Sequence, residues 1–538
     1  MAAVLSKIEL DTAPSPKPME PIIKARRPFS WKVMLLPLGI VVVLIAIVMI
    51  LLLPLRGVFA RANDVARSGR AAASALKAQD LAGTKSALAD TRKNLSQLSD
   101  EYNKIKPLRF VPLFGSYVDD GVHAIAAGFA GLDAADKAME AIEPNADLLG
   151  LKGGSKFVMG SADERIQTAV KTMTALTPKI NEMATSVDTL RKEIDQINVN
   201  HYPKSIGKIV IRDTLVSYKE IIDNAANLFV NAQPLLINLP KMLGEPLSRR
   251  YLVLFQNDKE LRATGGFITA YAQFRFERGK AILERADDIY ALDAAKRKNF
   301  PATPEILKFH KNVYNLNLRD SNVSPDFKLS MQKFEELYAS VGDKEGIDGI
   351  FAMDTHVLVE ALKILGPETI SGRVFSAETD KRCDCPRAVY ELEDYSTRPV
   401  NYVRTARKDI IGVLMQSLLH KALGVSPSKY WGPLFQMLLT EINQKHMLAY
   451  LHDGAAQKAV ESFNMAGRIM TASDSATLFA YEEGKGWDYL HMNNSNMAGA
   501  KSNMFVSEKV TKDTTIGSDG TITTKLTVDY KNPYPGSD

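Results

Sequence analysis

The chain has 538 residues, 67 Lys+Arg against 62 Asp+Glu, 46% hydrophobic and 24% charged residues, and only 2 Cys. That length suits about three or four folding units. The apolar content excludes a disordered chain, and two cysteines exclude a disulfide scaffold. Of the net charge of +5, most lies in residues 1–32, where Lys7, Lys17, Lys24, Arg26, Arg27 and Lys32 face Glu9, Asp11 and Glu20. The basic excess is a property of one tail and points to no nucleic acid.

Five prolines (Pro14, Pro16, Pro18, Pro21, Pro28) keep residues 1–32 from a compact fold, so this is read as a disordered, basic, Pro-rich tail. Residues 33–55 follow without a charge, VMLLPLGIVVVLIAIVMILLLPL. As a helix this run is ~34 Å long, enough for a bilayer core of about 30 Å. It is long for a cleaved signal peptide, although Ala60-Arg61-Ala62 has the form of a cleavage site, so a retained single-pass anchor is expected. Lys24, Arg26, Arg27 and Lys32 on one side nearly balance Arg56, Arg61, Arg67 and Arg70 on the other. Charge alone therefore does not orient the span. A short tail before a long domain favours a cytoplasmic N-terminus, with the bulk of the chain extracytoplasmic.

Residues 56–245 read as a helical bundle or stalk. Met173, Leu176, Ile180, Met183, Val187, Leu190, Ile194 and Ile197 alternate spacings of three and four, the pattern of a helix burying one narrow seam. Pro178 within the run predicts a kink or a late start. Leu88, Leu95, Leu98, Tyr102 and Ile105 repeat the pattern, and 114–145 and 208–238 are further helices. An antiparallel bundle packed on itself is preferred, and an oligomer formed through this region is the alternative.

Residues 246–500 read as an α/β (α+β) domain. YLVLFQ from Tyr251 is a buried strand, FITAYAQFRF follows Gly265-Gly266, and a turn at Glu277-Arg278-Gly279-Lys280 leads into AILERA. A helix at 327–341, a strand at 347–353, a helix ended by Gly366-Pro367, and helices at 405–422 and 428–450 are expected. In 501–538, Ile522, Thr524, Leu526, Val528 and Tyr530 alternate after Asp519-Gly520, predicting a half-buried strand of a partial β hairpin. Either it pairs with the α/β part or it begins a truncated domain.

Phosphate loops, GxGxxG, HExxH and GxSxG are absent, and no two histidines stand at i, i+4. Cys383-Asp384-Cys385 is read as a loop with two incidental cysteines, with a disulfide outside the cytoplasm left open. The densest polar cluster is Asn257, Asp258, Arg262, Thr264 and Gly265-Gly266, expected at the carboxyl edge of a strand, where α/β sheets bind ligands. Arg262 could grip phosphate or carboxylate, or pair structurally with Asp258 or Glu260; the structural reading is favoured. Arg319-Asp320 forms a second candidate. In a third, Arg285-Ala286-Asp287-Asp288, two carboxylates could hold a divalent cation.

YLVLFQNDKELRATGGFITAYAQ, RDSNVSPDF and IDGIFAMDTHVLVEALKILGP, in that order, resemble a bacterial family of membrane-anchored proteins whose shared region is known as a domain of unknown function. The resemblance covers about 245–500 and implies a cell-envelope protein. A more distant similarity is to the LytR-CpsA-Psr phosphotransferases, single-pass proteins that move glycopolymers from a lipid pyrophosphate carrier to the cell wall. It implies Mg2+ on Asp258 and Asp287, pyrophosphate-gripping Arg262 and Arg285, and catalytic roles for Arg262, Arg285 and Asp287. Asn257, Asp258, Arg262, Thr264, Arg319 and Asp320 would contact an anionic glycan or a lipid-pyrophosphate. Two residues depart from that pattern: Thr264 stands where an acid is expected, and Ala286 splits the Arg-Asp pair. Ligand binding or assembly in surface glycopolymer or cell-wall biology is therefore the expected function. An active transferase and a stalk with an inert head are the alternatives.

Overall fold

The computed structural model describes residues 53–533 apart from 79, 112–113, 146–161, 208, 398–408, 425–426, 470–487 and 498–500. The expected tail, and the expected span 33–55 except its last residues, lie outside the described residues. Among those described, no helix is long and apolar enough to cross a membrane.

The N-terminal region is helical. Helices α1 (Leu55–Lys77), α2 (Leu81–Asn103), α3 (Gly115–Ile142), α4 (Ala162–Gln196) and α5 (Arg212–Met242) each pack on the next. Asp80 starts α2, its carboxylate accepting from Gly83 N at 2.9 Å. Of the expected seams, Leu95, Leu98, Ile105, Ile180 and Ile194 are buried and form small clusters such as Leu95, Leu98 and Leu132. α4 starts at Ala162 and continues through Pro178, correcting the alternative of a late start. Pro178 is exposed, so water can satisfy the carbonyl its missing N–H leaves free.

A five-stranded mixed sheet follows, ordered β5-β4-β1-β2-β3, from β1 (Arg249–Asn257), β2 (Phe267–Glu277), β3 (Lys280–Asp288), β4 (Gly349–Asp354) and β5 (Met447–Leu451). β1 and β4 are parallel, and all other pairs are antiparallel. Arg278 and Gly279, both at positive φ, close the β2–β3 hairpin. On one face, Leu252, Leu254, Ile268, Ile350 and Ala352 pack against 289–341, including α6 (Ile289–Ala294), α7 (Pro304–Phe309) and α8 (Phe327–Tyr338). On the other, Val253, Phe255, Ala270, Ala272 and Phe274 meet α9 (Thr355–Leu365), α10 (Arg387–Thr397) and α11 (Asp409–Gly424). Burial on both faces is why β1 reads as an unbroken apolar run.

The expected helix over 428–450 is corrected. α12 (Pro427–Asn443) ends at a turn with Lys445 at φ +68°, and 447–451 become edge strand β5 against β4. MLAYL is short and apolar, and such a run has no period that separates strand from helix. α13 (Gly454–Ser462) then packs on α5, where Lys241 pairs with Asp453, joining bundle to head. Cys383 and Cys385 are disulfide-bonded with Cα atoms 5.1 Å apart, correcting the incidental-cysteine reading. The tight turn between Asp380 and Cys385, with Asp384 at φ +53°, brings the two thiols together.

The C-terminal strand pairs with neither the sheet nor a further domain among the described residues. β6 (Ser507–Ile516) and β7 (Ile522–Lys531) form a separate two-stranded ribbon. Its side chains are largely exposed, Ile516 at 71% and Ile522 at 66%, so the expected half-burial is not met.

Candidate functional site

Because β1 and β4 are parallel, their carboxyl ends share one edge of the sheet. Polar side chains buried there need partners. Gln256 Oε1 accepts from Thr264 Oγ1 at 2.6 Å, and Asn322 Nδ2 donates to Thr264 Oγ1 and to the Gly266 carbonyl, both at 2.9 Å. Gly266 holds the loop against β1: a Cβ there would lie 2.5 Å from the Asn257 carbonyl oxygen. Asn257 donates to Glu393 Oε1 at 2.9 Å and accepts from Lys259 N at 3.0 Å. Asp258 accepts from the Thr355 hydroxyl and from Lys259 Nζ.

Arg262 is 3% exposed. Its guanidinium donates to Glu260 Oε1 at 3.3 Å and to the Asn496 carbonyl, and lies over the Phe267 ring. Residues 488–497 and 501–504 roof this loop: Asn496 N donates to the Leu261 carbonyl, Asn503 Oδ1 accepts from Leu261 N, and Asn493 Nδ2 donates to the Ala263 carbonyl. Asp320 lies 3.9 Å from Arg262 Nη2 and 3.5 Å from Arg319 Nε, and Arg319 Nη1 reaches Asp293 Oδ2 at 2.6 Å. Burial pushes the Asp293 carboxyl up, against the pull of Arg319. The structure thus joins Arg262, Arg319 and Asp320 in a buried ionic chain, with Thr264 in the hydrogen-bond network beside it.

Arg285 and Asp287 are placed elsewhere, on β3. Arg285 lines a separate groove with Arg250, Glu284, Tyr338 and Glu345. Burial raises the Asp287 carboxyl, whose Oδ1 accepts from Asp288 N at 2.7 Å, while Asp288 caps α6. Asp287 is level with Tyr271 and Leu254 across the sheet, two strands over and four residues below Asp258. At the usual strand spacings that is about 15 Å, too far for one shared cation. Ala286 has its own duty. Gly412 of α11 comes so close that a Cβ on it would sit 2.3 Å from the Ala286 Cβ, leaving no space for a larger side chain.

Beside the β1–β4 edge lies a cleft of about 110 Å³. Its walls are apolar: Phe255, Met353, Leu358, Ile411, Leu414 and Met415 among others. Its rim is polar, with Asn257, Glu260, Asp354, Thr355, Glu393 and Lys501. Lys501 pairs with Glu393, and burial lowers its ammonium pKa.

Around Asp354 the rim continues into a cluster absent from the expected residues. Asp354 caps α9 by accepting from His356 N at 3.0 Å, and its other oxygen lies 2.6 Å from His446 Nδ1. That bond raises the His446 pKa; burial raises that of Asp354 while His446 pulls it back. His356 Nδ1 is 2.8 Å from Glu441 Oε2, and Glu441 is 1% exposed. The two imidazoles stack at 4.2 Å and 14°. These residues lie far apart in the chain, so no local motif reveals them. A helix ending before Lys445 would have set His446 back against Glu441, and Asp354 with His356 reads as a capped helix start.

Residues 248–381 match a family model described as "Protein of unknown function (DUF4012)". The match covers β1 to β4 and α9, a shorter stretch than the expected 245–500, and omits α10 to α12 and β5. No curated protein and no solved structure matches the chain.

Proposed function

We propose that this chain is a single-pass envelope protein, anchored by residues 33–55 with its N-terminus cytoplasmic, whose extracytoplasmic head binds an amphipathic, lipid-linked glycan in surface glycopolymer or cell-wall biology. One observation carries this reading: an apolar cleft with a polar rim opens at the carboxyl edge of the parallel pair. Such edges are where α/β sheets take ligands, and apolar walls with a few convergent polar groups suit a small molecule. An apolar chain fits between Phe255, Met353 and Leu414, while Glu260 and Glu393 can accept from sugar hydroxyls. The 23-residue uncharged run in 33–55 and the Cys383–Cys385 bond both agree with an oxidising, membrane-adjacent setting.

The departures from the LytR-CpsA-Psr pattern, at Thr264 and Ala286, favour binding over catalysis here. Arg262 is committed to Glu260 and the Asn496 carbonyl, and Arg285 faces another groove. A clamp of both arginines on one pyrophosphate would require the buried chain to come apart.

The test uses the full chain in lipid nanodiscs, titrated with farnesyl phosphate, farnesol and inorganic pyrophosphate. The expected result is saturable binding of both prenyl compounds, weakened at least about tenfold by Met415→Trp, which fills the cleft. Equal binding by wild type and Met415→Trp, or binding of pyrophosphate alone, would overturn the proposal.

A further inference from the structure

The geometry points to a transition-metal site, of the kind that takes Zn2+, formed by His356, Glu441 and His446. Three elements deliver these side chains: the first turn of α9, the last turn of α12, and the residue preceding β5. One ring nitrogen of each histidine and one Glu441 oxygen lie within 4.8 Å of one another. Ligand bonds of about 2.0–2.2 Å in a tetrahedron place donor atoms roughly 3.3 Å apart, so the two stacked imidazoles must turn their ring planes toward one point to complete the set.

Three features distinguish this set from an ordinary pair of satisfied histidines. His446 presents Nδ1 to Asp354 at 2.6 Å, which leaves Nε2 as the free lone pair. A carboxylate behind a ligating imidazole is the usual outer support of a bound metal. Asp354 is itself fixed, since its other oxygen caps α9 at the His356 backbone N–H. Glu441 brings a carboxylate to a position 1% exposed, where a nearby cation offsets its desolvation. The turn that places it is tight, with His446 N donating to the Glu441 carbonyl at 2.8 Å.

The histidine side chains are 37% and 24% exposed, so the fourth position faces solvent. Three protein ligands with one open position is the pattern of zinc that binds or activates a further ligand rather than holding a fold together. Imidazole donors select zinc-like ions over magnesium. Asp354 and Thr355 also line the cleft, so the open position lies beside the cleft rim. The site is independent of what the cleft holds, and of Asp258 and Asp287 as ligands for Mg2+.

The experiment takes the full chain, without a histidine tag and stripped with chelator, and titrates Zn2+ alone by calorimetry and Co2+ alone by visible absorption. One equivalent per chain should bind, with cobalt d–d bands of tetrahedral intensity. His356→Gln should weaken binding at least about 100-fold, and Asp354→Asn by about 10–100-fold. Asn still caps α9, so a purely structural Asp354 would leave metal affinity unchanged. Metal-free melting curves show whether each variant folds; if His356→Gln does not, Asp354→Asn and Glu441→Gln decide. Absence of saturable binding, or equal affinity in wild type and folded variants, would overturn the site and leave the histidines as hydrogen-bonding groups. Neither result depends on prenyl ligand binding.

Discussion

The helical region and the sheet domain bury their residues differently. In the helices, buried positions form small separate clusters, Leu81 with Met139, or Leu95 with Leu98 and Leu132, edged by half-exposed neighbours. In the sheet domain, Leu252, Leu254, Ile268, Phe327, Phe334 and Ile350 are fully buried in one continuous core. A narrow seam is stabilised contact by contact, whereas a closed core punishes any void, because its neighbours cannot relax into it. The closed core also fixes a whole set of buried charged and amide groups, among them Arg262, Asp320 and Asn322, where the helical region buries one carboxylate, Asp120, among the described residues.

The largest expected effect tests that contrast directly. Leu254→Ala should cost about 4–5 kcal/mol in urea denaturation, and Leu95→Ala only about 2–3 kcal/mol, because the helical seam can collapse or hydrate. Equal losses would break the comparison. Next, Arg262→Ala should cost about 3–5 kcal/mol, since it leaves Glu260 and Asp320 without their shared cation. A stable Arg262→Ala protein would return this arginine to the ligand-binding candidates. Asn322→Ala should cost about 1–3 kcal/mol by freeing Thr264 and the Gly266 carbonyl, measured as a lower urea midpoint.

The smallest effect is a pH dependence. Glu335 raises the His452 pKa above the usual imidazole range through their hydrogen bond. A group whose folded pKa is raised contributes stability that is fully present below its unfolded value of about 6.5 and lost as pH climbs through the folded value. The melting difference between wild type and Glu335→Gln should therefore be present near pH ~6 and shrink as the pH climbs above the unfolded value and through the raised folded one. A difference that grows toward alkaline pH would contradict the assignment.

Local signals carried much of the fold. Heptad spacing located α2 and α4, a continuous apolar run located β1, and Arg278-Gly279 located the hairpin. What escaped depends on distant contacts. MLAYL became β5 because β4 offered an open edge, and no period in five residues announces that. The same holds for the site. Asn257 and Asp258 do stand at the carboxyl edge of a strand, as their position after YLVLFQ implies. That Arg262 would turn inward depends on Asn496, more than two hundred positions later, and the meeting of His356 with His446 depends on β5 lying beside β4. Ala286 looked like a gap in a motif and is instead a packing requirement set by Gly412.

The residues over the Arg262 loop have a mechanical consequence. Asn493, Asn496 and Asn503 cover the Arg262 loop, Lys501 reaches the cleft rim, and the exposed β6–β7 ribbon begins at Ser507. Asn494 also binds Tyr530 of that ribbon at 2.8 Å. A pull on the ribbon is therefore borne by Lys501 and the Asn493–Asn496 contacts before it reaches the sheet.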